Sequence, residues 1–268
     1  MNASNPPLPV VAGIDGSDTA IGAAQWAVDE AVSRNVPLRL VYVTKAPHPT
    51  AEEYDRDIHH AHASLRAAQD AIEAGAQPVK IETALIPGPP GPALVEESRD
   101  AAMVCVGSVG IGRYARSILG STATDLAEKA HCPVAIIRPQ QDESRQDVNW
   151  IVVAVNEDPD NGAVVEQALR EAELRDAPVL AIGEHLARHG DRAALEAEVG
   201  TWRQRHPGVH VYPVADKADV AHFLKHHDER VQLAVIGGSE AAKLDQIIGP
   251  FGHSALHHTN SSVLVIQR

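Results

Sequence analysis

Aromatic residues are scarce in this chain: Phe, Trp and Tyr together make up 3% of its 268 residues. Hydrophobic residues still account for 44% of the sequence, so its cores have to be built from Val, Leu, Ile and Ala. Such a composition suits parallel β-sheets that are covered by Ala-rich helices. A chain of this length forms either one large domain or two domains of ordinary size.

Long apolar runs are also missing from the sequence. No stretch approaches the ~18 apolar residues that are needed to cross a membrane. The N-terminal residues, Met1 to Pro7, lack the basic and apolar regions of a secretory signal. We therefore expect a cytoplasmic protein that has no membrane partner.

Cysteine and basic residues are in short supply as well. The two cysteines, Cys105 and Cys132, lie in or beside predicted core strands, and we expect both to be reduced packing residues. The formal net charge is −13, and each half of the chain has more acidic than basic residues. Because proteins that bind DNA or RNA gain affinity by neutralising phosphates, this charge argues against a nucleic-acid partner.

The most informative motif is a set of glycines, Gly107-Ser-Val-Gly110, followed after nine residues by Gly120-Ser121. It lies between an apolar run that ends at Val106 and a predicted helix over 121–130. Glycine lets a backbone approach a ligand closely, and a helix N-terminus offers unpaired N–H groups. The arrangement predicts a phosphate cradle, with two turn glycines and a helix cap as the alternative interpretation.

A second motif comes near the N-terminus. Val10 to Ile14 has the pattern of a buried strand, and Asp15 follows directly after it. In open parallel sheets, ligands bind beyond the carboxyl ends of the strands, where the strand order reverses. We therefore predict that Asp15 accepts hydrogen bonds from ribose hydroxyls. Its alternative role is to cap the next helix, for which Ser17 and Asp18 are better placed.

Together these motifs resemble those of the universal stress protein family, in its ATP-binding subtype. The matching patterns are G-x2-G-x9-G-[ST] and, near the N-terminus, V-x-G-x-D-x-S, and Pro133-Val134 also matches the family's last strand. The resemblance covers residues 8–139. It implies an α/β fold with an open five-stranded parallel sheet of order 3-2-1-4-5 and helices on both faces.

The resemblance also implies roles for individual residues. Asp15 would contact the ribose or the adenine side of ATP, and Val43 would line the adenine pocket. The ribose and phosphates would be held by Val106, Gly107, Gly110, Gly120, Ser121 and Thr122. Main-chain N–H groups of residues 107–110 and 120–122 would make the phosphate contacts, and Mg²⁺ would accompany the triphosphate.

Two arginines lie inside the nine-residue stretch of the glycine motif. Arg113 and Arg116 are candidate partners for the β- and γ-phosphates, or else solvated arginines of a loop. The motif is not a P-loop, because no Gly-Lys-[Ser/Thr] follows the glycines.

The second half of the chain repeats the order of strands and helices predicted for the first half. We predict two tandem domains of one fold, residues 1–140 and 148–268, joined by the polar linker 140–147. In the first domain, the segment Pro87-Gly-Pro-Pro-Gly-Pro92 is predicted to be neither helix nor central strand.

The two predicted domains differ where ATP would bind. We match Asp15 with Glu157, Gly110 with Glu240 and Ser121 with Pro250. A carboxylate near the phosphates and a proline without an N–H donor both disfavour triphosphate. The second domain is therefore predicted not to bind ATP, or to bind it far more weakly.

No catalytic motif stands out in the sequence, so we predict a binding protein with at most weak ATP hydrolysis. His253 and His257 have the spacing of a metal pair on a helix, but no third ligand is evident, and surface histidines are the preferred interpretation.

The predicted function is an ATP-binding regulatory protein of the stress response, with unidentified protein partners. A slow ATPase or an adenylating enzyme is the alternative, and a structural protein stabilised by nucleotide is a third hypothesis. The last strands, 134–138 and 263–267, are expected at sheet edges, where they could pair the two domains or form a homodimer.

Overall fold

The computed structural model of the chain describes residues 7–110, 119–138, 149–183, 192–214, 220–226, 230–248 and 261–267. These residues belong to two compact units, one with residues up to 138 and the other with residues from 149 onwards. No helix among them is long and apolar enough to cross a membrane.

The first unit is built on five parallel strands. In chain order they are β1 (Val10–Ile14), β2 (Leu38–Thr44), β3 (Ile81–Pro87), β4 (Met103–Gly107) and β5 (Val134–Ile137). Their order in the sheet is β3-β2-β1-β4-β5, and every neighbouring pair is parallel. The predicted fold class and strand order are therefore confirmed for this unit. The order reverses between β1 and β4, which places a switch point there.

Four helices pack on this sheet: α1 (Asp18–Arg34), α2 (Ala51–Glu73), α3 (Pro90–Glu97) and α4 (Ser121–Lys129), with a short 3₁₀ helix at Ser98–Asp100. Helix α1 buries a face made mainly of alanines, because small side chains let it lie close to the strands. The helix begins after the N-cap Ser17 and ends at Asn35, which has a left-handed backbone with φ 54°.

The structure of the proline-rich segment, Pro87 to Pro92, differs from the prediction. Pro87 ends the edge strand β3, as expected for a segment that cannot form a central strand, but α3 already begins at Pro90 and includes Pro92. The expectation that this segment contains no helix is therefore wrong. The N–H groups of a first helical turn have no intrahelical acceptor, so proline loses nothing at these positions.

The second unit repeats the strand order. Its strands are β6 (Trp150–Val155), β7 (Val179–Gly183), β8 (Val211–Val214), β9 (Val231–Gly237) and β10 (Ser262–Ile266). They are parallel and lie in the order β8-β7-β6-β9-β10. Its helices are α5 (Asn161–Arg175), α6 (Arg192–Arg205), α7 (Val220–His226) and α8 (Leu244–Ile248), with a 3₁₀ helix at Gly238–Lys243. The sequence analysis did not predict this 3₁₀ helix or α8.

The first helix of each unit carries a buried glutamate that is paired with a partly exposed arginine. Glu30 and Glu171 have only 1% of their surface exposed, and each bonds the arginine one turn later, Arg34 or Arg175. Burying a carboxylate is costly unless it is paired, so removal of the arginine alone would leave a buried charge without its partner. The presence of this pair in both units supports the interpretation that the chain contains an internal repeat.

Candidate functional site

The predicted site residues of the first unit meet at the carboxyl ends of β1 and β4. Asp15 comes directly after β1, and the glycine loop (residues 107–110) ends β4 and follows it. The two strands are neighbours, so these loops leave the sheet side by side at the switch point. A methyl group built on Gly110 would overlap Asp15 Oδ2, which shows that the loops are in contact.

Asp15 is held by its own loop. Its Oδ1 accepts hydrogen bonds from the Ser17 N–H at 2.9 Å and from the Ser17 hydroxyl at 2.6 Å. The Ser17 hydroxyl in turn accepts from the Ala20 N–H at 3.2 Å, so Ser17 caps α1 as the sequence predicted. These bonds fix the Asp15 carboxylate with Oδ2 against Gly110.

The three glycines of the motif differ in how closely other residues pack against them. A methyl group on Gly107 would lie within 2.8–2.9 Å of Thr19, including its main-chain carbon, and one on Gly110 would meet Asp15. On Gly120 it would meet only ordinary contacts, the nearest at 3.5 Å, and the φ of Gly120 is −73°. Packing of the described residues therefore requires glycine at 107, where main chain lies close. At 110 a methyl group would displace the end of the Asp15 side chain, and at 120 the described residues leave room for one.

Helix α4 begins with N–H groups that its own hydrogen bonds do not use. Its first internal hydrogen bond runs from the Thr124 N–H to the Gly120 carbonyl, so the helix itself does not use the N–H groups of residues 121–123. Ser121 is exposed and Thr122 is half-buried.

Two main-chain donors of the predicted cradle are already used by the fold. The Gly120 N–H donates to the Ser108 carbonyl at 2.8 Å, and the Ser108 N–H donates to the Ile137 carbonyl at 2.9 Å. The expectation that these two N–H groups hold phosphate is therefore wrong. Those two hydrogen bonds fix the glycine loop between β5 and the start of α4.

The apolar residues of the predicted site lie on the two strands that flank β1. Val43 is half-buried near the end of β2, and Val106 is buried in β4, where it packs close to Gly13. Arg113 and Arg116 lie outside the described residues.

Sequence reasoning missed three polar residues at or beside the site. Thr19 donates a hydrogen bond to the Val109 carbonyl, and the Ser108 hydroxyl is buried without a hydrogen-bond partner among the described residues. Tyr42 lies opposite Ile14 in the sheet, and burial, with the charges of Asp57 and Asp15, raises the pKa of its phenol. No local pattern marks Thr19 or Tyr42, because their neighbours at the site come from distant parts of the chain.

In the second unit, different residues follow the corresponding strands, β6 and β9. The pairing of β6 with β9 follows that of β1 with β4, and it places Asn156 where the first unit has Asp15. The match of Asp15 with Glu157 is therefore wrong. The loop between β6 and α5 is longer than the loop between β1 and α1, which shifts any alignment made by counting.

Glu240 occupies the region that corresponds to the glycine loop. It is buried in the 3₁₀ helix, and its Oε2 accepts a hydrogen bond from the Gly237 N–H at 3.3 Å. A small cleft beside it is lined by Asp158, whose Oδ2 accepts from the Ser239 hydroxyl at 2.9 Å, and by Asp160. These carboxylates would repel a phosphate group. Pro250, the other predicted difference, lies outside the described residues.

The described residues contain no group of three or more His, Cys, Asp and Glu side chains that could hold a metal ion. His253 and His257 fall outside them.

Comparisons with known proteins agree with this architecture. The family model described as the universal stress protein family matches residues 8–138. Universal stress protein Rv2624c of Mycobacterium tuberculosis is 58% identical over 262 residues, which are 97% of this chain and 96% of that protein. Universal stress protein Rv3134c of the same organism is 41% identical over 264 residues, 95% of this chain and 92% of that protein.

A solved structure agrees with the fold over both units. The crystal structure of a universal stress protein from Archaeoglobus fulgidus DSM 4304 matches with a TM-score of 0.69 and covers 97% of this chain and 96% of its own. At 16% identity this likeness concerns the fold alone. Fold and site thus define an α/β protein with a loop-built site at its sheet switch point. The chain belongs to the universal stress protein family.

Proposed function

We propose that this chain is an ATP-binding regulatory protein of the stress response. Its first domain, residues 1–140, would hold the nucleotide, and its second domain, residues 148–268, would not. The proposal is supported by the glycine motif and its resemblance to the ATP-binding subtype, and by the meeting of Asp15, the glycine loop and the start of α4 at one switch point.

Gly120 carries the proposal. Gly107 has to be glycine because the main chain of Thr19 lies against it, and at Gly110 a side chain would displace the Asp15 carboxylate, whereas the described fold leaves room for a side chain at Gly120. A glycine that packing does not require, at the N-terminus of a helix, is explained by a ligand that approaches the backbone. The N–H groups of Ser121 and Thr122 would then meet phosphate oxygens.

The other residues of the motif take the roles that the resemblance implies. Asp15 would bind the ribose, and Val43 and Val106 would frame the adenine and ribose. Arg113 would contact the terminal phosphates. Mg²⁺ would be held mainly by the phosphates, since the described residues offer no cluster of three metal ligands.

Regulation would follow from nucleotide occupancy. ATP can shift the protein between two states, or change its affinity for a partner, only if it binds one state more tightly than the other. The groups described at the site are hydroxyls, N–H groups and one hydrogen-bonded carboxylate, which suit recognition. The alternative, slow hydrolysis or adenylation, predicts single-turnover loss of ATP that exceeds that of a Gly120→Val control.

The proposal is tested by calorimetric titration of the full chain with ATP and Mg²⁺. Gly120→Ala should raise the Kd by about tenfold or more, because the new methyl group enters the space of the ligand. The free energy of unfolding should fall by less than about 1 kcal/mol, the cost of alanine at an N-cap position.

Gly22→Ala is the matched control, because Gly22 lies in the same unit, inside α1. Apart from its chain neighbours and its own helix backbone, no described atom lies within 4 Å of the place that its new methyl group would take. It should leave the Kd unchanged and stabilise the fold by about 0.5–1 kcal/mol. Equal ATP affinity in the wild type and in Gly120→Ala would contradict the proposed site.

A further inference from the structure

Thr19 joins the two loops of the candidate site. Its hydroxyl donates a hydrogen bond to the carbonyl oxygen of Val109 in the glycine loop, 90 residues further along the chain. Its Oγ1 also lies 2.9 Å from the Ser17 hydroxyl, which is itself bonded to Asp15 Oδ1. The Ser17 and Thr19 hydroxyls thus lie side by side, one donating to the predicted ribose residue and the other to the loop beside the predicted phosphates.

The direction of the central hydrogen bond follows from chemistry. A carbonyl oxygen only accepts, so the contact with Val109 requires a donor at position 19. Serine would keep this donor and valine would not, although valine has almost the same shape as threonine. Thr19 also fills the space above Gly107, so it packs against the glycine loop as well as bonding to it.

We infer that Thr19 is a positioning residue for phosphate recognition. Through Val109 its hydroxyl fixes the glycine loop against α1, so that the main-chain groups of the loop are in place before the ligand arrives. The inference rests on the proposed function. Since the glycine loop would face the phosphates and not the base, loss of this bond should weaken ATP binding far more than adenosine binding.

The experiment compares Thr19→Val and Thr19→Ser in the full chain, with ATP, ADP and adenosine as the titrated ligands. Thr19→Val should raise the Kd for ATP by about tenfold, the scale of one lost hydrogen bond, and leave the Kd for adenosine unchanged. Thr19→Ser should restore the affinity for ATP. A general loss of stability would weaken the binding of all three ligands alike.

Thr201→Val is the matched control. It removes a hydroxyl that donates to a main-chain carbonyl, that of Ala197, in helix α6 of the second unit. It should change none of the three affinities. If Thr19→Val does not fold, Thr19→Ala removes the same hydroxyl with less crowding and gives the same comparison.

The outcomes separate the two proposals. A wild-type chain that does not bind ATP would overturn the proposed function, and this inference with it. A wild-type chain that binds ATP, with Thr19→Val binding ATP equally well, would overturn the role of Thr19 alone. The role of Thr19 would also be overturned if Thr19→Val lowered the affinity for ATP and for adenosine to the same extent.

Discussion

At the scale of single residues, the glycine motif joins two kinds of glycine. Thr19 leaves no room for a methyl group on Gly107, and one on Gly110 would displace the Asp15 carboxylate, so packing explains both glycines. Among the described residues, Gly120 has room for one. A phosphate-binding pattern in a sequence therefore does not show that each of its glycines meets the ligand, because a close approach of two protein segments imposes the same residue.

The cysteines give a test at this scale. Cys105 is fully buried, and burial raises the pKa of the Cys132 thiol to about 12. Because the thiolate is the reactive form, neither residue should react with iodoacetamide in the folded protein at pH 8, and both should react in denaturant. Mass spectrometry of the labelled protein counts the modified thiols. Rapid labelling of Cys132 in the folded chain would contradict its described burial.

At the scale of elements, the helix ends follow local chemistry. Helices α1 and α5 both end at a residue with a left-handed backbone, Asn35 and Asp176, whose N–H bonds back to the last turn. Asparagine and aspartate tolerate this conformation better than other residues with a side chain, but glycine adopts it without strain. The C-terminus of a helix also disfavours the negative charge of Asp176.

This difference predicts the effect of a substitution at Asp176. Asp176→Gly should raise the free energy of unfolding by about 0.5–1 kcal/mol, because it removes both the backbone strain and the unfavourable charge. Asp176→Ala removes the charge but keeps the strain, so it should be less stable than Asp176→Gly. Urea unfolding of the full chain measures both variants. Equal stability of the alanine and glycine variants would contradict the left-handed conformation.

At the scale of the whole molecule, two units share a strand order but not a site. Both carry a buried glutamate paired with an arginine in their first helix, which shows that the scaffold repeats. The loops at the carboxyl ends of their strands differ, because the second unit has Asn156 in place of Asp15 and a buried Glu240 bonded to the Gly237 N–H. A carboxylate already occupies the donor that an anion would need.

The proposed function therefore predicts one ATP per chain. Titration of the full chain should give a stoichiometry of one, and Gly120→Ala should raise the Kd of this single site by about tenfold or more. Residues 148–268, if they fold when isolated, should show no micromolar binding of ATP. A second equivalent that persists in the Gly120→Ala variant would place a nucleotide in the second domain and contradict this division.

The sequence by itself determined the elements and their order. Apolar runs without alternation mark the strands, and the predicted strand 10–14 agrees with β1 as the structure has it. The cap of α1 was also predictable, because Ser17 and the N–H group that it accepts from are three residues apart. The start of α3 was missed, although it is local, because proline was taken as a helix breaker without regard to its position in the first turn.

The tertiary structure alone decided how the site is held together. Thr19 and Val109 meet because β1 and β4 are neighbours in the sheet, and no spacing in the sequence encodes that contact. The same applies to the register that assigns Asn156 to the place of Asp15, and to Glu240, which turns inward onto Gly237. Short-range propensities fix helices and strands, but such contacts depend on which distant segments the folded sheet brings together.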